Sequence, residues 1–145
     1  MKHKVIIKQA HQVDLAWINQ KYDEVNFLHS TLYNEIVAIA HIGATQGGIG
    51  RLIKIESNIF ELGGMYVLEA YRKHKIATQI INFLLQQVGK NAIIYCIPFK
   101  ELTDFYKRFG FEEIIDVRNI PYQITEKYRW CSQEYKQEVE LLCKK

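Results

Sequence analysis

Between Glu69 and Thr78 the chain sets Arg72, Lys73 and Lys75 at the point where its hydrophobic period changes. Ile59 to Leu68 is apolar and aromatic-rich like a buried strand, whereas Ile76, Ile80, Ile81, Leu84 and Leu85 recur at helical spacing. Strand, basic turn and helix follow. The first N–H groups of a helix have no intrahelical partner, and the positive end of its dipole points back over the turn. An anion is favoured there, and with three cations alongside a diphosphate is the natural guest. Nothing upstream of the turn supplies the acidic ribose partner of a dinucleotide-binding unit.

The elements that must position this turn can be read in order. Val5, Ile6 and Ile7 between lysines make a short first strand, and Asp14, Leu15, Trp17 and Ile18 open a helix whose start Asp14 caps or charges. Tyr22 to Tyr33 is irregular. Glu35 to Ile42 is a buried strand, and the four glycines from Gly43 to Gly50 read as a hairpin turn. A phosphate-cradling loop fails at that place, because Arg51 to Glu56 alternates like a strand where Lys-Ser/Thr and a helix are needed. Ser57-Asn58 is a second turn, so an antiparallel meander delivers Ile59 to Leu68 to the middle of the sheet. After the helix of Ile76 to Val88, Ala92 to Ile97 is a buried strand, and a crossover of this length implies a parallel pair. Leu102, Phe105, Tyr106 and Phe109 share one helical face, Gly110 caps it, and Phe111 to Val117 is a further strand. Pro121 starts a last helix through about Tyr135, before a closing strand from Val139 to Cys143.

With 145 residues, 48% hydrophobic and 24% charged, the expectation is a single domain over 1–145 that buries roughly two thirds of its unfolded surface. A net charge of +3 suits an anionic ligand and is too small to argue for nucleic acid. No apolar run is long enough for a membrane span and Met1 to Lys8 lacks a signal-peptide core, so the expected place is cytoplasmic. Cys96, Cys131 and Cys143 have no ligand spacing and read as reduced, packed thiols. His3, His11, His29, His41 and His74 share none either, and no metal is expected.

Two motifs in order resemble those of the GNAT (Gcn5-related) N-acetyltransferases. Their fingerprint is a strand ending in Val, then Arg or Gln, two residues, Gly, one residue, and Gly or Ala opening a helix. Val67, Arg72, Ile76 and Ala77 fit, while Lys75 holds the first glycine position. Asp104-Phe105-Tyr106-Lys107-Arg108-Phe109-Gly110-Phe111 resembles the second signature, an aromatic-Tyr pair on a helix closed by Gly-Phe. The resemblance covers about Ile36 to Phe111. It implies an α/β (α+β) fold with a mixed, mostly antiparallel central sheet flanked by helices. Its parallel pair, near 59–68 and 92–97, splays to leave a slot for a pantetheine arm. It also implies acetyl-CoA as co-substrate, bound by Met65, Tyr66, Val67, Arg72, Lys73, His74, Lys75, Ile76, Ala77 and Thr78. Phe99 stands where many relatives hold the pantetheine with an asparagine.

Acetyl transfer to an amine needs a neutral amine, a polarised carbonyl and a protonated thiolate. A lysine-type amine is less than about 0.1% neutral at pH 7, so a base helps. Glu61, six residues before Val67, holds the position at which histone-acetylating members place their catalytic glutamate; a strand carboxylate paired to a lysine is the bland alternative. The backbone N–H of Val67, freed by a bulge, polarises the carbonyl. Tyr106 is the candidate acid for the thiolate, against the alternative of a core tyrosine. Tyr22, Glu24 and His29, on the segment that covers the acceptor site in the family, are open as substrate contacts or as solvated loop. The last helix, with Tyr122, Tyr128, Trp130 and Tyr135, either walls the acceptor pocket or packs onto the sheet. No cysteine sits by either motif, so transfer is direct. The implied function is an acetyl-CoA-dependent N-acetyltransferase acting on a primary amine of a small-molecule or peptide acceptor, with a homodimer compatible. The alternative is a degenerate domain that binds acyl-CoA as a sensor or interaction module; a nucleic-acid binder is a weaker third.

Overall fold

The computed structural model describes residues 4–145. His3 and the start of the Met1–Lys8 segment lie outside them. In chain order the elements are β1 (Val5–Gln9), α1 (Leu15–Glu24), β2 (Glu35–Ile42), β3 (Thr45–Glu56), β4 (Ile59–Val67), α2 (Ile76–Leu85), β5 (Ile93–Cys96), α3 (Thr103–Lys107), β6 (Glu112–Glu113), α4 (Tyr122–Glu134) and β7 (Leu142–Lys144). The strands form a seven-stranded sheet in the order β1-β2-β3-β4-β5-β7-β6. β4 and β5 run parallel, and the pairs β1–β2, β2–β3, β5–β7 and β6–β7 are antiparallel. This is the mixed, mostly antiparallel sheet with one parallel pair that the sequence implies. Among the described residues no helix is long and apolar enough to cross a membrane.

By its contacts the chain forms two compact units, Met1–Ile53 with Gly64–Val88, and Lys54–Gly63 with Gly89–Lys145. In the first, alternation along β2 and β3 sorts two kinds of residue. Val37, Ile39 and Ile49 join Ile18 and Tyr22 of α1 and Ala10 in one buried cluster. Ala38 pairs with Gly50 and Ala40 with Gly48, so the intervening positions carry almost no side chain. Helix α2 fills that space with Ile76, Ile80, Ile81 and Leu84, all buried. A Cβ at Gly50 would lie 2.6 Å from Ile80 Cγ2, and one at Gly48 would lie 3.0 Å from Ile76 Cγ2. The glycine cluster is therefore not a hairpin turn as a whole. Gly43, at φ 62°, serves the turn, and Gly47, Gly48 and Gly50 lie inside β3, where the missing side chains of Gly48 and Gly50 let a helix approach the sheet and that of Gly47 makes room for Ile42 and Tyr71.

In the second unit the parallel ladder runs from Ile59↔Ile93 to Leu62↔Cys96. β5 then keeps company with the C-terminal segment. Cys96 pairs with Leu142, Phe99 bridges Val139, the Lys100 N–H donates to Glu138 O at 2.8 Å, and the Glu140 N–H donates to Pro98 O at 2.9 Å. Phe99 packs edge-on against Tyr135, centroids 5.5 Å apart, and Tyr135 against Trp130 at 5.7 Å. The strand expected over Phe111 to Val117 shortens to Glu112–Glu113. Asp116 ends it by taking the Arg118 backbone N–H and both arms of its guanidinium, each at 3.0 Å, which closes a turn in place of an extended ladder.

Candidate active site

In the first unit, Gly64 sits within β4 at φ +59°, a left-handed conformation that glycine adopts freely. Its carbonyl accepts from the Tyr22 hydroxyl at 2.8 Å. A side chain there would collide with Tyr22 Oη and come within 2.8 Å of Arg51 Nε. Arg51 is 3% exposed, stacks 4.8 Å from the Tyr22 ring centroid, donates to Leu28 O at 2.9 Å and lies 3.7 Å from the Glu35 carboxylate. Tyr22 is fully buried, which pushes its hydroxyl well above the usual phenol range. It is a strut under β4 and not a solvated loop residue. Glu24 accepts from Tyr66 Oη at 3.0 Å and from Lys21 Nζ at 3.1 Å, and these bonds hold its carboxyl below the usual range. His29 lies 2.6 Å from Asp23 on the surface.

Met65, Tyr66 and Val67 close β4, half-buried. The Leu68 N–H donates to Gly47 O at 2.9 Å, and Arg72 folds back so that its Nε donates to Val67 O at 2.9 Å. Lys73, His74 and Lys75 are exposed. Lys73 at φ 69° and Lys75 at φ 59° are both left-handed, so lysine occupies the conformation that the family fingerprint gives to glycine. Lys75 is the N-cap of α2, which has neither a side-chain cap nor an acidic residue in its first turn. The bond from Gln79 N–H to Lys75 O at 3.2 Å opens the helical ladder. The N–H groups of Ile76, Ala77 and Thr78 therefore precede it and stay available. Ile76, 2% exposed, anchors the turn to the core.

In the second unit, Glu61 is 3% exposed and each of its carboxylate oxygens lies 2.9 Å from Lys127 Nζ. Lys127 shares the inward stripe of α4 with the buried Ile124 and Cys131. A Cβ at Gly63 would sit 3.2 Å from Glu61 Oε2, so glycine keeps a side chain from crowding the buried carboxylate. Tyr106, 6% exposed, stands edge-on to Phe105 at 5.2 Å and to Phe111 at 6.1 Å. Burial first, then the neighbouring Cys96, pushes its hydroxyl far above the usual phenol range, so it stays protonated at any working pH. Burial likewise pushes the Cys96 thiol up, with Glu61 adding to the effect. Among the described residues no three His, Cys, Asp or Glu side chains gather in a set that could hold a metal ion. Sequence reasoning missed Arg51 and Lys127. The signal for each was a single cation inside a buried run, Arg51 before Leu52 and Lys127 at helical spacing between Ile124 and Cys131.

The family model described as an acetyltransferase (GNAT) domain matches residues 28–113. No curated protein matches the sequence. Among solved structures, Rv2747 from Mycobacterium tuberculosis in complex with CoA superposes with a TM-score of 0.75 at 20% identity, covering 96% of this chain and 98% of that one. Naa50 from Arabidopsis thaliana, in complex with a CoA-peptide bisubstrate analogue, gives 0.69 at 18% identity, covering 97% and 98%. N-acetylglutamate synthase from Neisseria gonorrhoeae, complexed with coenzyme A and L-arginine, gives 0.74 at 15% identity, covering 99% of this chain and 34% of that one. The chain thus spans about a third of the synthase it superposes on. The matched span holds both motifs, the basic turn at α2 and the Tyr106 helix, and the chain belongs to the GNAT acetyltransferase family.

Proposed function

We propose that the chain is an acetyl-CoA-dependent N-acetyltransferase that moves an acetyl group directly to a primary amine. The observation that carries this reading is the start of α2, where free N–H groups of Ile76, Ala77 and Thr78 and the cations of Lys73 and Lys75 meet no acidic residue in the first turn. Those groups take the diphosphate, with Met65 to Val67 and Arg72 to Thr78 as the coenzyme-binding set. The Val67 N–H polarises the thioester carbonyl and Glu61 takes the proton of the acceptor ammonium. Glu61 already holds one primary ammonium, that of Lys127, which supports a primary amine as acceptor. The Tyr106 hydroxyl, held protonated by its burial, supplies the proton of the leaving thiolate. The buried thiols of Cys96 and Cys131, both pushed up by burial, are poor acyl carriers, which supports direct transfer. Within this reading the acceptor is a small-molecule or peptide amine, and the chain works in the cytoplasm with its cysteines reduced.

The test is thermal protection by acetyl-CoA together with release of free coenzyme thiol in the presence of a panel of primary amines. Protection and thiol release are expected from the wild-type chain, and Lys73→Glu with Lys75→Glu should abolish the protection. Unchanged protection in that double variant removes the turn as the diphosphate site. Protection without thiol release for any amine is the result expected of a coenzyme-binding module that does no chemistry, a reading favoured by Lys127 standing against the candidate base.

A further inference from the structure

Lysine ammonium groups normally stand in water. Among the ion pairs of the described residues, Lys21, Lys100 and Lys107 meet carboxylates whose side chains are 43%, 72% and 60% exposed. Lys127 differs. Its own side chain is 23% exposed and its partner Glu61 only 4%. Its Nζ reaches both oxygens of that carboxylate at 2.9 Å. It gets there because α4 turns Ile124, Lys127 and Cys131 inward together. The pair lies at the end of the parallel ladder, which stops at Leu62↔Cys96, one residue past Glu61. Gly63, next on the strand, has no side chain to crowd the Glu61 carboxylate.

We propose that Lys127 is itself an acetyl acceptor, modified by the chain's own bound acetyl-CoA. The inference rests on the reading above, in which Glu61 is the group that deprotonates the acceptor. Lys127 Nζ already occupies the place relative to that base which an incoming amine must reach, so the proximity that an external acceptor has to gain by binding is built in. In the step, Glu61 takes one proton from the Lys127 ammonium. The freed nitrogen lone pair forms the C–N bond to the thioester carbonyl carbon, and the C–S bond breaks with its electrons on sulfur. A second nitrogen proton is lost as the amide forms and, through the Tyr106 hydroxyl, ends on the coenzyme thiol; the third remains on the amide. The proton on Glu61 stays there. An ionic pair therefore becomes a neutral carboxylic acid beside a neutral amide, and no unpaired charge is left in the interior.

The experiment is incubation of the native full chain with acetyl-CoA and no added amine, followed by intact mass and peptide mapping. One acetyl group per chain is expected, on Lys127, appearing at a first-order rate that does not change with chain concentration. It should be absent from the chain held in urea and from Lys127→Arg, whose guanidinium can keep the Glu61 pair but cannot be acetylated this way. Thermal protection by acetyl-CoA with Lys127 unmodified overturns the proposal and leaves the acetyltransferase reading standing. Acetyl groups spread over exposed lysines, equally in urea, overturn it as solution chemistry. If acetyl-CoA neither protects the chain nor is consumed, the parent reading falls and this inference falls with it.

Discussion

Lys73, His74 and Lys75 stand in water at the start of α2, while Glu61 and Lys127 face each other inside the second unit with the carboxylate 3% exposed. In bulk water an ammonium and an anion at about 4 Å attract by only about 1 kcal/mol, so the lysines of the turn attract and steer more than they hold. In the proposed reading, holding falls to the fixed N–H groups of Ile76 to Thr78, which belong to the backbone and not to any side chain. The buried pair works the other way. Its carboxylate has left water and its ammonium has largely done so, and the buried charge of Glu61 is tolerable only because Lys127 is there. A site built on backbone should thus bend gradually under mutation and salt, and a site built on buried side chains should break at one residue.

The largest expected effect lies on the buried side, at Tyr106. Tyr106→Phe removes one hydroxyl from an aromatic cluster it shares with Phe105 and Phe111. Turnover should fall by about 10- to 10⁴-fold with coenzyme affinity nearly unchanged, because only the leaving-group proton is lost. Steady-state kinetics beside a binding titration read both. Equal turnover would make Tyr106 a packing residue and blunt the contrast between the two regions.

Next in size is Lys127→Met, which fills the same space and strands the Glu61 charge. A loss of roughly 3 kcal/mol is expected in urea melts, at the low end for a broken buried pair because Lys127 keeps some contact with water. Adding Glu61→Gln to Lys127→Met should return most of that loss, and if the double variant is as unstable as the single one, the pair is not what holds α4. The matching change in the turn, Lys73→Met, should leave stability within about 0.5 kcal/mol, as exposed substitutions do.

What could be read from the sequence follows the same division. The basic turn and the Tyr106 motif are written in consecutive residues, so a change of period and a local spacing were enough to find them. Lys127 lies 66 residues from Glu61, and no local pattern says which carboxylate an inward lysine will meet. Arg51 failed for a similar reason. The sequence offers Arg51 only as the first residue of the alternating strand Arg51 to Glu56, yet Leu28, Glu35 and the Tyr22 ring, all distant in sequence, enclose it. The glycines of β3 looked like a turn because composition cannot distinguish freedom of φ from absence of a side chain. The meaning of Gly48 and Gly50 is the nearness of Ile76 and Ile80, which only the packed helix reveals. The strand after Gly110 was read too long, since Asp116 and Arg118 end it through a side-chain turn that hydrophobic alternation does not report.

The smallest expected effect carries the opposite sign and sits in the turn. Lys75 holds φ 59° and ψ 26° as the N-cap of α2, a conformation that costs a residue with a Cβ about 1–2 kcal/mol and glycine nothing. Glycine gives part of this back, because its unfolded chain has more conformations to lose, by roughly 0.5–1 kcal/mol. Lys75→Gly should therefore stabilise the chain by about 1 kcal/mol in urea melts. The same change removes one cation from the proposed diphosphate site, so acetyl-CoA should bind a few-fold more weakly at low salt, and the deficit should shrink as salt screens the charge. Lys75→Ala separates the two effects: it keeps the strain and loses the cation, so it should weaken binding as the glycine variant does without gaining its stability. If Lys75→Gly binds more tightly than the wild type at every salt concentration, close backbone approach outweighs the ammonium, and the contrast between exposed charge and fixed backbone becomes sharper still.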